Sequence, residues 1–206
     1  MTERYEIRLC GSGGQGLILA GVILAEAAAV YDEKNAVQTQ SYGPESRGGF
    51  SSSVVIISNQ DIDYPKATMV DVLLALTQES ANMYVGNIKD GGTLIVDEEM
   101  VRDAPVGKYK LYKLPIISTA RTQVGKVIVA NVVALGVIFG LTKVVSIDAI
   151  TKSLFSKIPK GTERLNLSAL EAGVELARGA HPTPALESNP KYNDKEVSDR
   201  EKEINA

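Results

Sequence analysis

A glycine-rich turn near the N-terminus places the strongest constraint on the fold of this chain. Residues 5–10 alternate apolar and polar side chains, which is the period of a β-strand. Residues 17–30 are rich in alanine, leucine and isoleucine, which is typical of a buried helix. Between them Gly11, Gly13 and Gly16 satisfy the pattern G-x-G-x-x-G. A strand, such a turn and a helix in succession predict a β–α unit of a layered α/β sheet.

The turn itself is a candidate ligand site. Glycine tolerates positive φ, and its lack of a Cβ lets a phosphate approach the backbone. The first N–H groups of the following helix have no partner within the helix and lie at the positive end of its dipole. We therefore expect a phosphate-bearing ligand at Gly11, Ser12, Gly13, Gly14, Gln15 and Gly16. The sequence leaves one alternative open, that the glycines only let the first helix pack closely on the first strand.

The rest of the chain alternates predicted strands with predicted helices. Strands are predicted at residues 36–40, 53–58, 70–76, 93–96 and 109–114, and helices at 78–89, 123–141, 147–157 and from about 162 to 177, with a turn at 90–92. This order predicts a three-layer α/β/α fold with a mainly parallel, Rossmann-like sheet. Prolines and then mostly charged residues follow residue 179, so we expect one α/β domain over residues 1–179 and a flexible or partner-ordered tail over residues 180–206.

The composition excludes several kinds of chemistry. The 206 residues include one cysteine, Cys10, and one histidine, His181, too few for a disulfide framework, an iron–sulfur cluster or a thiolate zinc site within the chain. We therefore predict neither a metal site nor a catalytic residue. The net charge of −3 gives no basic excess for nucleic acid or a membrane surface. The most apolar stretch, residues 127–141, is shorter than the roughly 20 residues of a membrane span, and no secretion signal is visible, so a cytoplasmic location is expected.

Two common classes of phosphate-binding turn fit this one poorly. A dinucleotide site places an acidic residue about 20 positions later, at the end of the second strand. Residues 38–41 carry no acid there, and Asp32 and Glu33 come too early. A nucleoside triphosphate loop continues with lysine and serine or threonine, whereas Leu17 and Ile18 follow this turn. NAD binding is thus disfavoured, but a free-standing nucleotide-binding oxidoreductase stays open as an alternative.

A second loop concentrates polar groups after the second predicted strand. Pro44 and three glycines exclude a helix there, and loops that follow strands in α/β sheets often bind ligands. Arg47 is suited to a bidentate contact with a carboxylate or a phosphate. The open alternative is a solvated loop with a local Glu45–Arg47 ion pair. We expect a substrate-side or inter-subunit loop formed by Gln40, Ser41, Tyr42, Gly43, Pro44, Glu45, Ser46, Arg47, Gly48 and Gly49.

Together the two motifs resemble those of one family. The turn and the run Gln38-Thr39-Gln40-Ser41-Tyr42-Gly43-Pro44-Glu45 resemble the gamma subunit of 2-oxoacid:ferredoxin oxidoreductases, in the form of the 2-oxoglutarate branch. Residues 62–65, residues 159–162 and Asn166 are also similar to that branch. The similarity covers about residues 5–178.

The resemblance implies a subunit of a larger enzyme, inactive when alone. Such an enzyme decarboxylates a 2-oxoacid, here 2-oxoglutarate, forms acyl-CoA (succinyl-CoA) and reduces ferredoxin. Thiamine diphosphate, Mg²⁺ and the iron–sulfur clusters are expected in the partners, which are alpha, beta and delta-type (ferredoxin-like) subunits. Coenzyme A is the ligand implied for the glycine turn, and the second loop is implied to face the inter-subunit active site. A purely structural assembly subunit is the remaining alternative, and a homodimer is one state open to the isolated chain.

Several further residues are predicted to have structural roles. Asn131 lies in an apolar segment and is expected to be a satisfied buried amide or a contact to another subunit. Asp71 is expected to accept bonds from backbone N–H groups, and Cys10 to be a buried, inert thiol. The predicted helix at residues 123–141 has more apolar surface than one amphipathic face requires. We therefore expect another subunit to cover part of it or a neighbouring face of the sheet.

Overall fold

A computed structural model of the chain describes residues 4–43 and 49–183. These residues form one mixed sheet in the order β2-β3-β1-β4-β5-β6. The strands are β1 (Arg4–Ser12), β2 (Asn35–Tyr42), β3 (Phe50–Ser58), β4 (Val70–Ala75), β5 (Ile88–Asp97) and β6 (Lys110–Leu114). The helices are α1 (Leu17–Glu26), α2 (Gln78–Tyr84), α3 (Ile116–Thr122), α4 (Ala130–Thr142), α5 (Ile147–Lys157) and α6 (Glu163–Arg178).

The directions of the strands make the sheet mainly parallel, as predicted. Strands β1, β4, β5 and β6 are parallel neighbours. Strand β3 is antiparallel to both β1 and β2, so it alone among the described strands runs the other way. In the strand order, β2 and β3 lie on one side of β1, and β4, β5 and β6 lie on its other side. The strand order therefore reverses between β1 and β4, which is where sheets of this kind bind ligands.

Helices cover the two faces of the sheet unequally. The larger core lies between one face and helices α1, α3, α4, α5 and α6. The other face packs against α2 and against the chain around Val101 and Tyr109. This arrangement confirms the three-layer prediction, with a thin second layer. Helices α1 and α2 follow the neighbouring strands β1 and β4 but lie on opposite faces of the sheet.

The predicted turn at residues 90–92 was wrong, and so was the predicted end of the preceding helix. Helix α2 ends at Tyr84, and β5 already begins at Ile88. Gly91 adopts a φ of 78° inside β5, and the pairing with β4 shifts register between Val70 and Val72. The glycines thus produce an irregularity in a continuing strand rather than a reversal of the chain.

Two predicted helices also have different bounds. The segment predicted as one helix at residues 123–141 contains a break at Gly125, where φ is 86°, and α4 begins only at Ala130. A separate helix, α3, precedes this break. The helix predicted at residues 17–30 is α-helical as far as Glu26 and then continues as a π-helical turn, Ala27–Tyr31.

Helix α4 is buried by its own chain. All of its residues from Ala130 to Phe139 are buried, and it crosses α6 at very short range. A Cβ on Gly136 would overlap the Leu170 carbonyl, and a Cβ on Gly173 would overlap the Val133 carbonyl. Val127 and Ile128, in the same predicted helix, are 47% and 81% exposed, so the expectation that another subunit covers part of this segment or a neighbouring face of the sheet stays a prediction.

The described chain ends at the edge of β6, where the Thr183 N–H donates to the Leu111 carbonyl at 2.9 Å. The predicted tail from residue 184 onward and residues 44–48 of the second loop lie outside the described residues. Within the described part of the chain, no helix combines the length and the apolar character needed to cross a bilayer.

Candidate functional site

The glycine turn lies at the carboxyl end of β1, beside the point where the strand order reverses. Strand β1 ends at Ser12 and α1 begins at Leu17. Gly14 and Gly16 have φ values of 90° and 73°, in the left-handed region that other residues adopt only with strain. These two glycines let the chain turn from the end of β1 into the start of α1 within four residues.

Gln15 and Gly11 hold the turn together from within. The Gln15 side chain folds back so that its Oε1 accepts from the Ser12 N–H at 2.7 Å. A Cβ on Gly11 would overlap that oxygen and would lie 2.9 Å from the Leu17 Cδ1. The Gln15 N–H also donates to the Ser12 carbonyl, at 3.2 Å. Both residues therefore fix the shape of the turn.

The turn is joined directly to the second loop. The Gly13 N–H donates to the Gly49 carbonyl at 2.6 Å, and the Gly43 N–H donates to the Phe50 carbonyl at 2.7 Å, closing the base of that loop. Two motifs that the sequence separates by more than twenty residues thus lie side by side. Gln40, Ser41 and Tyr42 are the exposed last residues of β2, and the Tyr42 side chain is 64% exposed. Pro44, Glu45, Ser46, Arg47 and Gly48 lie outside the described residues.

A group of backbone N–H donors stays available at the turn. Among the described residues, none accepts from the N–H groups of Gly14, Gly16, Leu17 or Ile18. Gly16 is the N-cap of α1 and provides no side-chain cap, and the first turn of the helix contains no acidic residue. Unpaired donors at the positive end of a helix dipole are suited to binding a phosphate group.

Asn131, on the first turn of α4, completes the turn from across the structure. Its side-chain Nδ2 donates to the Gly16 carbonyl at 3.2 Å, and the residue is 5% exposed. The prediction of a satisfied buried amide is confirmed. Its partner could not have been found from the sequence, because 115 positions separate the two residues and no local pattern links them.

Asp97 is a buried carboxylate that sequence reasoning missed. It ends β5 and is fully buried. Its Oδ1 accepts from the Glu99 and Met100 N–H groups at 3.0 Å, and its Oδ2 accepts from the Ile117 N–H at 2.8 Å. Because three backbone N–H groups donate to this carboxylate, its role is structural, at the start of α3. An acid that directly follows an apolar strand was the available signal.

The other carboxylates near the strands are also structural. Asp32 accepts from both the N–H and the hydroxyl of Ser146 at 2.7 Å, at the start of α5. It is therefore occupied away from the turn, which supports the argument against a ribose site. Asp71 accepts from the Glu6 N–H and from Lys89 Nζ, both at 2.8 Å, which confirms its predicted structural role.

Cys10 is positioned as an inert thiol. It is fully buried, and its Sγ donates to the Leu74 carbonyl at 3.3 Å. Burial raises the pKa of this thiol to about 12, although Ser80 and Arg8 act in the opposite direction. The reactive thiolate form is thus suppressed at neutral pH, as expected for a structural cysteine.

The fold and the joined loops define a Rossmann-like α/β domain whose glycine turn lies at the point where the strand order reverses. Residues 6–176 match the family model described as "Pyruvate ferredoxin/flavodoxin oxidoreductase". The chain belongs to this family, and the predicted resemblance to its gamma subunits is confirmed.

Relatives and solved structures agree with this assignment. The chain is 49% identical to the 2-oxoglutarate synthase subunit KorC of Methanocaldococcus jannaschii, over 85% of this chain and 95% of that protein. It is 45% identical to the subunit of the same name from Methanothermobacter thermautotrophicus, over 84% and 95%. The keto/oxoacid ferredoxin oxidoreductase gamma subunit of Geobacter sulfurreducens superimposes with a TM-score of 0.80 at 51% identity, over 87% and 99% of the two chains.

A more distant structure shares the fold. It is a 2-oxoglutarate:ferredoxin oxidoreductase from Magnetococcus marinus, solved with 2-oxoglutarate, coenzyme A and succinyl-CoA bound. The TM-score is 0.78 at 23% identity, over 93% of this chain and 34% of that one. The fold described above therefore occurs as one part of a longer chain in that protein.

Proposed function

We propose that this chain is the gamma subunit of a coenzyme A-dependent 2-oxoglutarate:ferredoxin oxidoreductase. Such a complex removes CO₂ from 2-oxoglutarate, transfers the succinyl group to coenzyme A and passes two electrons to ferredoxin. Support for this substrate comes from the two relatives named 2-oxoglutarate synthase subunit, which match at 49% and 45% identity over nearly their whole length.

The proposed task of the chain is to hold the phosphates of coenzyme A at the glycine turn. The observation that carries this proposal is the Gly13–Gly49 hydrogen bond, which joins both sequence motifs at the edge where the strand order reverses. Among the described residues nothing accepts from the N–H groups of Gly14, Gly16, Leu17 or Ile18, so these donors are proposed to bind the phosphates. The proposed coenzyme-binding residues are Gly11, Ser12, Gly13, Gly14, Gln15 and Gly16.

The second loop is proposed to form a wall of the inter-subunit active site. This proposal covers residues 40–49, of which 44–48 lie outside the described residues. Holding the coenzyme in one orientation beside a partner's reacting group lowers the entropic barrier to acyl transfer, so a subunit without catalytic side chains can still affect the rate strongly.

The remaining cofactors are proposed to reside in other subunits. The chain has one cysteine, Cys10, and its thiol is buried, so it cannot supply the ligands of an iron–sulfur cluster. Thiamine diphosphate with Mg²⁺ and the clusters are assigned to alpha, beta and delta-type (ferredoxin-like) partners, with ferredoxin as the electron acceptor. A cytoplasmic location stays a prediction.

A matched pair of substitutions tests where the phosphates bind. Leu19 lies in the first turn of α1 and its side chain is 38% exposed. Leu19→Glu places a negative charge beside the proposed phosphate site, at a position where a helix favours an acid, so the fold is not expected to suffer. Leu19→Gln has the same shape without the charge and serves as the control.

Both variants are measured in the complex reconstituted with its partner subunits, by coenzyme A-dependent reduction of ferredoxin. We expect Leu19→Glu to raise the KM for coenzyme A about tenfold, or about 1.4 kcal/mol, with the KM for 2-oxoglutarate unchanged. Leu19→Gln should stay close to the unmodified complex. Equal KM values for the two variants would rule out phosphate binding at the start of α1 and favour a purely structural subunit.

A further inference from the structure

The Gly16 carbonyl is held from two sides. It accepts the first hydrogen bond of α1, from the Ala20 N–H at 3.0 Å, and also the Asn131 Nδ2 bond at 3.2 Å. The second bond comes from the neighbouring helix α4. The orientation of the peptide that follows Gly16 is therefore fixed jointly by α1 and α4.

The contact requires glycine at position 16 for a second reason besides its φ of 73°. A Cβ there would lie 2.6 Å from Asn131 Nδ2, closer than atoms in a folded protein tolerate, and at a tight 3.0 Å from its Cγ. The asparagine side chain thus occupies the space that a side chain at position 16 would need. A glycine in this region is otherwise free to change conformation, because it has no side chain to restrict it.

The support behind Asn131 is rigid. Helix α4 is buried over Ala130–Phe139 and locked against α6 through the glycine crossing. A side chain in its first turn has little freedom to move relative to the core. The Asn131 amide therefore transmits the position of this buried helix to the exposed turn.

We infer that Asn131 is a positioning residue of the coenzyme site, which acts by holding the Gly16 carbonyl so that the free N–H groups at the start of α1 point towards the phosphates. This inference rests on the proposed function of the turn. Asn131 does not touch the coenzyme, and its contribution is to keep the turn in the binding conformation before the coenzyme arrives. Preorganisation of this kind improves binding by reducing the entropy lost when the ligand binds.

The test compares two buried asparagines. Asn166 is 6% exposed in α6, and its Nδ2 donates to the Thr162 carbonyl at 3.0 Å. Its Nδ2 also donates to the Thr162 Oγ1 at 3.1 Å, so it is a bonded amide as buried as Asn131, but in another segment. Asn131→Leu and Asn166→Leu each replace a buried amide by an apolar side chain of similar size, and Asn131→Ala provides a smaller variant if leucine does not fit.

The readout is the kinetics of the reconstituted complex, with thermal unfolding measured beside it. We expect Asn131→Leu to raise the KM for coenzyme A about fivefold, the size of one neutral hydrogen bond, with kcat and the KM for 2-oxoglutarate unchanged. We expect Asn166→Leu to lower the unfolding temperature about as much as Asn131→Leu does, but to leave the KM for coenzyme A unchanged.

The outcomes separate this inference from the function on which it rests. If Leu19→Glu raises the KM for coenzyme A and both Asn131 variants do not, the phosphates bind at the turn but Asn131 does not position it. If neither Leu19→Glu nor the Asn131 variants have an effect, the proposed function itself fails. An equal rise in Asn131→Leu and Asn166→Leu would show a general loss of stability and would overturn the inference.

Discussion

At the scale of single residues, the turn shows why the same residue type is required for different reasons. Gly14 and Gly16 both have positive φ, so any other residue is strained at either position. Their surroundings differ, since no atom of the described residues lies within 4 Å of a Cβ on Gly14, whereas the space at Gly16 is filled by Asn131. Backbone strain alone thus acts at Gly14, and strain and crowding act together at Gly16.

Alanine at each position separates these two effects. We expect Gly14→Ala to lower the free energy of unfolding by about 1 kcal/mol, from the left-handed backbone alone. Gly16→Ala should lower it by about 2–3 kcal/mol, because it also displaces the buried Asn131 amide from its partner. Urea denaturation of the full chain measures both values. Equal decreases in the free energy of unfolding for the two variants would show that the Asn131 side chain moves aside without loss of stability.

At the scale of elements, the crossing of α4 and α6 fixes the helix that carries Asn131, the residue bonded to the glycine turn. The two helices approach closely enough that Gly136 and Gly173 leave no room for a Cβ against the opposite backbone. Backbone atoms cannot rotate away as a side chain can, so the helices themselves would have to separate. A shift of α4 would also move Asn131 and, through it, the start of α1.

Gly173→Ala tests this packing. We expect it to lower the free energy of unfolding by about 3 kcal/mol, because the added methyl group meets the Val133 carbonyl. Gly86→Ala is the control, since a Cβ at Gly86 meets no atom within 4 Å and its φ is not positive. Chemical denaturation of both variants provides the comparison. If Gly173→Ala lowers the free energy of unfolding no more than Gly86→Ala does, the helices pack less tightly than described.

The elements also show what the sequence could predict. Strand β1, its turn and α1 follow from local periodicity and glycine spacing. A serine before an amphipathic segment is also a local N-cap signal, and Ser146 fills that role at α5, where its Oγ accepts from the Ala149 N–H at 3.1 Å. The bulge at Gly91 and the break at Gly125 were misread, because a glycine alone does not show whether a chain reverses, bulges or continues. The Asn131–Gly16 contact depends on tertiary packing between distant segments.

At the scale of the whole molecule, several ionisable side chains are kept neutral by the fold. Burial raises the pKa of Tyr109 to about 12, and its hydroxyl donates to the Pro105 carbonyl. Burial, with a further contribution from the Asp71 carboxylate, raises the pKa of Tyr5 to about 12. Burial raises the pKa of the Cys10 thiol to about 12 as well. Tyr5 and Cys10 both lie in β1, and Cys10 and Tyr109 belong to the same core cluster, so their ionisation affects the stability of the sheet.

Their ionisation predicts a loss of stability at alkaline pH. In the unfolded chain the pKa of the thiol is 9.0 and that of each phenol is 10.0. In the folded chain the pKa of all three groups is about 12, so they stay protonated up to about that pH. Between these values the unfolded chain binds fewer protons, so its free energy falls relative to the folded state as pH rises. The stabilisation is complete below about pH 9 and is lost progressively towards pH 12.

Tyr109→Phe removes one of these groups and should make the alkaline loss smaller. Between about pH 8.5 and about pH 11, we expect the free energy of unfolding of this variant to fall by about 1 kcal/mol less than that of the unmodified chain. Tyr42→Phe is the control, because the Tyr42 side chain is 64% exposed and the fold holds it in no buried site. Urea denaturation across this pH range measures both slopes. If Tyr109→Phe loses as much stability as Tyr42→Phe, the phenol of Tyr109 is not kept protonated by burial, and the alkaline loss must come from other groups.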